Sequence, residues 1–161
     1  MQHPKQAKDV MTTDVVTVVA SMRVAQAADL LLQRGVSSAP VVESDFTRQI
    51  VVGFLSERDL MECVASGQLH AQPEITVADV MRRHPLAVSP TTDLYTLAAV
   101  FMQHGFRHLP VVVAQTLQGV VSRRDVLDGL MQDYRQWLSQ DPSLREVPDF
   151  AGIFAPRFLV E

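Results

Sequence analysis

The sequence predicts an α+β fold, in which two β-α-β-β-α repeats pack with pseudo-two-fold symmetry and a C-terminal extension follows. The first basis for this prediction is an internal repeat: a shift of 70 positions aligns 9–42 with 79–112, and ten of these 34 pairs are identical. The second is the hydrophobic period, which alternates between strand and helix within each copy. Because a unit of about sixty residues is marginal alone, we expect the helices of both copies to share one core.

The elements of the first copy follow from its residue pattern. The valine-rich run 16–18 is typical of a short strand, and apolar residues then recur at helical spacing from Val24 to Gly35, where glycine favours a helix end. A second helix is predicted to begin at Ser56. Two buried strands precede it, joined by a polar hairpin loop that is four residues longer than in the second copy; the strands are expected at 40–42 and 51–55, and the loop at 43–49.

The second copy repeats this order. A strand at 87–88 precedes a helix over 93–104, and a last helix begins at Ser122. The strands between these helices are expected at 109–114 and 117–121. The domain boundaries that follow are 1–68 for the first repeat, 69–132 for the second and 133–161 for the extension.

The C-terminal extension has a different composition from the repeats. It holds the only tryptophan, Trp137, and three prolines that interrupt any long helix, Pro142, Pro148 and Pro156. Two interpretations are open. The segment either folds back over its own module or its dimer mate, or it is a docking segment for an effector protein.

Composition excludes several classes of protein. Hydrophobic residues make up 47% and charged residues 20%, as in ordinary globular domains, and the net charge of −4 gives no bulk positive field for nucleic acid. The longest apolar stretches fall far short of the roughly 20 residues that span a bilayer. The first residues lack the apolar centre of a secretory signal, and the single cysteine, Cys63, allows no intrachain disulfide. We therefore expect a cytoplasmic protein without a membrane segment.

The most informative motif is a glycine, two apolar residues and Ser-x-x-Asp, at 53–59 and again at 119–125. In one interpretation the serine and the aspartate form a capping box that satisfies the start of a helix. In the other, the free N–H groups of the helix start hold a phosphate and the aspartate accepts hydrogen bonds from paired hydroxyls, as on a ribose. Two copies in one register predict two related sites.

Other reactive side chains have simpler interpretations. His84 and His104 have no partner at metal-ligand spacing, so we assign no metal. Cys63 lies in an apolar helical stretch and is expected to be a packed thiol. No glycine-rich phosphate loop and no nucleophile with a base occur in the sequence, so we do not expect an enzyme.

Three features together resemble a tandem pair of cystathionine β-synthase (CBS) domains over about residues 5 to 130. They are the repeated Asp-Val-Met run, the segments Gly35 to Val42 and Gly105 to Val112, and the two Ser-x-x-Asp ends. The resemblance implies a regulatory sensor that binds AMP, ADP, ATP or S-adenosylmethionine in clefts between the repeats. It also implies a homodimer, with no required cofactor and with ligand binding in place of turnover.

The resemblance also assigns site residues, because each family cleft combines the Ser-x-x-Asp end of one repeat with the first strand and the pre-proline segment of the other. For the first cleft these are Ser56, Arg58, Asp59, Arg82, Arg83, Ala87, Phe106, Arg107 and His108. For the second they are Thr12, Thr17, Val36, Ser37, Ser38, Ser122, Arg124 and Asp125. The aspartates are expected on the ribose, the serines and arginines on phosphates, and the apolar strand edges on the base.

The two clefts differ in charge. The second repeat supplies three arginines and His108 to the first cleft, whereas the second cleft relies on Arg123 or Arg124. The first cleft is therefore expected to prefer the more highly phosphorylated nucleotide. The competing hypothesis is a ligand-free assembly module whose motifs only cap helices.

Overall fold

A computed structural model describes residues 4–45 and 47–140. Within these residues, short helices precede each repeat, and two β-hairpins each run between a pair of longer helices. In chain order the elements are α1 (Ala7–Val10), α2 (Val24–Arg34), β1 (Ser38–Asp45), β2 (Arg48–Ser56), α3 (Glu57–Ala65), α4 (Gln68–Ala71), α5 (Val77–Val80), β3 (Arg82–Arg83), α6 (Leu94–His104), β4 (His108–Val113), β5 (Thr116–Ser122) and α7 (Arg123–Gln140).

The two hairpins confirm the repeat. Both are antiparallel, and both carry a register shift at the same place, between Val41 and Val42 and between Val111 and Val112. They join edge to edge where β2 pairs with β5, so the described strands form one sheet in the order β1-β2-β5-β4, with β3 added on β2. Prolines stand in β1 and β4, the two outer strands of this path, where a missing N–H is tolerated.

The prediction of a hairpin loop at 43–49 is wrong. The four additional residues lengthen the strands instead: β1 and β2 have 8 and 9 residues, whereas β4 and β5 have 6 and 7. Polar side chains are compatible with a strand here because the end of the hairpin extends into solvent, and Glu43 and Ser44 are exposed.

The first strand of each repeat is shorter than predicted. Val18 alone pairs with Val41, and Val88 alone pairs with Val111, each in parallel orientation. Val18 accepts from the backbone N–H of Val42 at 2.9 Å, and Val88 accepts from that of Val112 at 2.9 Å. The valine patterns therefore identified the paired residue but overestimated the length of the strand.

The predicted helix ends are confirmed. Gly35 and Gly105 follow α2 and α6 with φ of 63° and 69°, a left-handed conformation that glycine adopts without strain. Asp93 caps α6 by accepting from the backbone N–H of Thr96 at 3.0 Å. These helix ends determine the positions of two segments, the one before β1 and the one before β4. Both segments border the site described below.

Buried apolar residues form two clusters in place of the single shared core that we expected. One cluster lies in the first repeat and the other in the second, but each contains a segment from the opposite repeat. Ala7 is fully buried in the second cluster, and Val77 is fully buried in the first. Since α1 and α5 exchange places in this way, each repeat completes its apolar core with residues that precede the other.

Contacts divide the chain into two units, residues 1–130 and residues 131–161. The first unit holds both repeats. In the second, the described residues 131–140 are the last part of α7, on which the rings of Tyr134 and Trp137 stack with centroids 6.1 Å apart. The three prolines of the extension, and with them the choice between self-packing and effector docking, lie outside the described residues.

Candidate functional site

Both Ser-x-x-Asp motifs form the start of a helix. The backbone N–H and the hydroxyl of Ser56 donate to Oδ2 of Asp59 at 2.8 and 2.6 Å. At the equivalent place, the N–H of Ser122 donates to Oδ2 of Asp125 at 2.7 Å, and the N–H of Asp125 donates to the Ser122 hydroxyl at 3.1 Å. The capping interpretation is therefore confirmed at both helices. In the first motif these contacts use only Oδ2, and Oδ1 of Asp59 remains for other partners.

The glycine of each motif lets another chain segment cross the strand at close range. A Cβ atom on Gly53 would lie 3.2 Å from the carbonyl oxygen of Arg82, and one on Gly119 would lie 2.7 Å from that of Thr12. The space that Gly53 leaves open allows β3 to pair with β2. Arg82 and Arg83 are thereby placed next to the start of α3.

A cavity of about 590 Å³ opens at this helix start, within the usual size range of small-molecule sites. Its walls come from both repeats: the end of β2 and the start of α3, the segment that contains β3, and the segment before β4. It is lined by Ser37, Ser38, Phe54, Ser56, Glu57, Arg58, Asp59, Met61, Arg82, Arg83, His84, Pro85, Leu86, Gly105, Phe106, Arg107, His108, Leu109, Pro110 and Arg123.

The cavity is strongly cationic in a chain whose net charge is −4. Five arginines line it against two carboxylates, those of Glu57 and Asp59. Among the described residues, Arg82 is the only one of these arginines at ion-pair distance from a carboxylate, with its Nε 3.6 Å from Oδ1 of Asp59, while Arg83 interacts with Asp79 at longer range. Arginines held at a concave surface without acidic partners are suited to bind phosphate oxygens.

Arg82 connects the acidic and aromatic parts of the cavity. Its guanidinium pairs with Asp59 and also lies over the ring of Phe106, with Cζ 6.0 Å from the ring centroid. The Asp59 side chain is 11% exposed, whereas that of Arg82 is 49% exposed. The carboxylate is thus mostly buried, while about half of the Arg82 side chain is open to solvent.

Ser38 and His108, which are equivalent positions of the two repeats, meet at the junction of the repeats. The Ser38 hydroxyl and Nδ1 of His108 are 3.1 Å apart and share a hydrogen bond. Burial lowers the pKa of His108 below its ordinary 6.5, and Arg107 adds to this, against the opposing effects of Asp125 and Glu57. This environment therefore favours the uncharged form of His108.

The structure brings most of the residues expected in the first cleft to one cavity. Of the nine, Ala87 alone does not line it, although its neighbour Leu86 does. Ser37 and Ser38, expected in the second cleft, line this cavity too. The other residues expected there are not on its wall; they are Thr12, Thr17, Val36, Ser122, Arg124 and Asp125. Thr12 pairs with Val120 of β5, as Arg82 pairs with Phe54 of β2.

Three ionisable side chains of this cavity, those of Glu57, His84 and Arg123, were not assigned to it from the sequence. His84, for which the sequence favoured solvent exposure or helix capping over metal binding, is exposed and lines the cavity, with a left-handed φ of 50°. Arg123 was assigned to the second cleft, whereas here it lies on the wall of the first. Its position directly after Arg82 and Arg83 in the chain could have identified His84. No sequence signal indicates where the Arg123 side chain points.

The remaining sequence interpretations concern metal binding, the Cys63 thiol and membrane-spanning helices. Within residues 4–45 and 47–140, the structure groups no three histidine, cysteine or acidic side chains as metal ligands. Cys63 is 2% exposed and packs in the first cluster, as expected. None of the described helices combines the length and apolar character needed to cross a bilayer.

The fold and the cavity together define a class of protein: two α+β half-domains, related by pseudo-two-fold symmetry, that build a cationic ligand-sized cavity at the start of a helix. The CBS domain family profile matches residues 7–66 and 77–132, and the chain belongs to this family. The resemblance inferred from the repeated motifs is thereby confirmed.

Similar proteins agree with this assignment. The CBS domain-containing protein YhcV of Bacillus subtilis is 32% identical over 120 residues, which are 74% of this chain and 81% of YhcV. The crystal structure of Arabidopsis thaliana CBSX2 in complex with AMP matches with a TM-score of 0.71 and 28% identity, over 81% of this chain and 99% of CBSX2. The CBS domain pair of MJ0100, crystallised with 5-methylthioadenosine and S-adenosyl-L-methionine, shares the fold with a TM-score of 0.68 and 18% identity, over 81% of this chain and 99% of that one.

Proposed function

We propose that this protein is a regulatory module that binds an adenosine nucleotide between its repeats and changes shape on binding, so that a partner protein meets a different surface. The observation that carries the proposal is the cavity, where the carboxylate of Asp59 lies among five arginines, of which Arg82 alone is at ion-pair distance from a carboxylate in the described structure. The complex of CBSX2 with AMP supports an adenosine ligand, since that protein has the same fold at 28% identity.

Each part of the nucleotide has a matching group in the cavity. Oδ1 of Asp59 is an acceptor for ribose hydroxyls, because the capping box uses only Oδ2. The base packs on apolar side chains such as Phe54 and Leu86, and the phosphates bind the arginines. Binding then shifts the shape of the module by as much as the ligand's affinity differs between the two shapes.

The charge of the cavity favours AMP, ADP and ATP over S-adenosylmethionine. Each phosphate oxygen that meets an arginine forms a charge-assisted hydrogen bond, whereas the sulfonium of S-adenosylmethionine is itself a cation and is repelled by the five arginines. We expect ATP to bind more tightly than AMP in this cavity, in line with the preference expected for the first cleft.

Isothermal titration calorimetry with AMP, ATP and S-adenosylmethionine tests the proposal. We expect saturable binding of the two nucleotides, with ATP the tighter ligand. Binding of none of the three would contradict the proposal and favour the alternative, a ligand-free assembly module. That alternative rests on the capping contacts at Ser56 and Ser122, which satisfy the starts of α3 and α7 with groups of the chain itself.

We also propose that the module forms a homodimer through its helices. Leu32 of α2 and Met102 of α6 are 75% and 60% exposed and occupy equivalent positions in the two repeats. Met61 and Leu127 are a second equivalent pair, 64% and 62% exposed. Apolar positions that recur by pseudo-symmetry suit an isologous interface with a second copy. A Leu32→Arg/Met102→Arg variant should sediment as a monomer, while a wild-type protein that is already monomeric would exclude the dimer.

Two further expectations belong to this proposal. The protein binds its ligand without turnover, so incubation with ATP should yield no ADP above that of a heat-denatured control. A cytoplasmic location stays a prediction, which cell fractionation would test.

A further inference from the structure

Arg123 is the first residue of α7 in the second repeat, yet it lies on the wall of the cavity that α3 of the first repeat forms. Two contacts hold it there. Its backbone N–H donates to the carbonyl oxygen of Arg107 at 3.1 Å, and its side-chain Nε donates to the carbonyl oxygen of Phe106. The equivalent residue, Glu57, makes only the corresponding backbone contact, to Ser37 at 2.9 Å. The side-chain contact is therefore specific to the arginine.

These contacts leave the end of the guanidinium available. An arginine side chain has five N–H donors, and the bond to Phe106 uses the one on Nε, so both terminal NH₂ groups remain for a ligand. Arg123 is exposed and has no carboxylate partner among the described residues. A guanidinium that is already anchored by Nε loses less conformational entropy when it binds an anion.

Phe106 separates this cation from the ribose end of the cavity. Its ring contacts Arg82, which pairs with Asp59, while its carbonyl holds Arg123. With a ribose on Asp59, the first phosphate lies near the arginines beside that carboxylate. Each additional phosphate extends away from Asp59, and Arg123, at the start of α7, is a cation of the cavity wall that the longer phosphate chain can reach.

We infer that Arg123 binds the terminal phosphate of a nucleoside triphosphate in this cavity and so distinguishes ATP from AMP. The inference rests on the proposed function, since it assigns one specificity residue within the same site. A triphosphate would then connect the helix start of one repeat with that of the other, whereas a monophosphate would not reach it.

Calorimetric titration of Arg123→Gln with ATP and with AMP tests the inference. Loss of a charge-assisted hydrogen bond should weaken ATP binding about tenfold and AMP binding less than about twofold. Arg34→Gln is the matched control, because it removes one positive charge from an exposed position outside the cavity and should leave both affinities within about twofold of wild type. Arg123→Lys keeps the charge but has one ammonium in place of the Nε anchor and the two terminal NH₂ groups, so it should retain only part of the ATP preference.

Different outcomes separate this inference from the proposed function. Equal weakening of AMP and ATP binding in Arg123→Gln, or equal affinity of the wild type for both, would overturn the role of Arg123 and leave nucleotide binding intact. Equal losses of ATP affinity in Arg123→Gln and Arg34→Gln would show that the effect comes from net charge alone. That result would also overturn the role of Arg123. If the wild type binds neither nucleotide, both proposals fail. Circular dichroism of each variant shows whether the fold is kept, and Arg123→Lys provides the answer if the glutamine variant unfolds.

Discussion

Asp59 uses its two carboxylate oxygens for different contacts. Oδ2 caps α3 through Ser56, and Oδ1 faces Arg82 in the cavity. The two interpretations of the Ser-x-x-Asp motif are therefore compatible in the first repeat. The sequence identified the motif and its residue types, but it could not show that an arginine from the second repeat lies beside the carboxylate, because this contact depends on how the repeats pack.

Substitution of the two equivalent aspartates should separate their roles. Asp59→Asn removes the charged acceptor on the cavity wall and should weaken ATP binding about tenfold, since charge-assisted hydrogen bonds contribute roughly 1.5–3 kcal/mol. Asp125→Asn is the comparison variant: it changes the same motif at a residue that does not line this cavity and acts there only through its charge on His108. Titration of both with ATP and AMP measures the difference, and an equal loss of ATP affinity in both would count against the assignment.

His108 predicts a pH dependence of stability. Its pKa is lowered below 6.5 in the folded protein, chiefly by burial, so the unfolded chain binds the proton more readily. The contribution of His108 to the free energy of unfolding is thus complete above pH 6.5 and decreases as the pH falls below that value. Urea unfolding should show a smaller loss of stability from about pH 7.5 to about pH 5.5 in His108→Asn than in the wild type. A steeper loss in the variant would show that Asp125 and Glu57, which raise the pKa, outweigh burial.

At the scale of single elements, the sequence predicted what local residue types determine. The ends of α2 and α6 and the starts of α3 and α7 were predicted because glycine, aspartate and serine determine them locally. The lengths of the strands were not, because partners distant in sequence determine them. Val18 pairs only where the register of the hairpin shifts, and the polar residues Glu43 and Ser44 extend β1 at an end where both side chains are exposed.

The motif glycines provide a test at this scale. In Gly119→Ala the new Cβ would lie 2.7 Å from the backbone oxygen of Thr12, which moves only with its whole segment, so we expect a loss of about 1–3 kcal/mol. In Gly53→Ala the closest atom is the sulfur of Met81, a flexible side chain, and the nearest backbone oxygen is 3.2 Å away. The free energies of unfolding in urea should therefore rank Gly119→Ala as the less stable variant. The reverse order would mean that the segment at Thr12 adjusts more easily than the Met81 side chain.

At the scale of the whole molecule, each repeat depends on a segment that precedes the other. Ala7 N–H donates to the Thr92 carbonyl at 2.8 Å, and Val77 N–H donates to the Met22 carbonyl at 2.8 Å. The sequence revealed two copies, but two copies alone are compatible with a shared core or with exchanged segments. The repeat boundaries predicted at 68 and 132 stay predictions. The exchange of α1 and α5 brings together residues from both sides of the boundary at 68.

The exchanged segments predict which elements lose stability when a buried residue of α1 is substituted. Ala7→Arg places a charged side chain in the second apolar cluster, although Ala7 belongs to the first repeat in sequence. Native-state hydrogen exchange should show loss of protection in α6 and β5, with α2 less affected. A loss confined to α2 and β1 would contradict the exchanged packing.

The most direct test of the central claim is a crystal structure of the protein grown with ATP. Our account predicts density for the nucleotide in the cavity between the repeats, with ribose hydroxyls on Oδ1 of Asp59, phosphates on the arginines and the terminal phosphate at Arg123. A cavity that stays without nucleotide at saturating ATP, or a nucleotide bound elsewhere with Asp59 still paired only to Ser56 and Arg82, would contradict it.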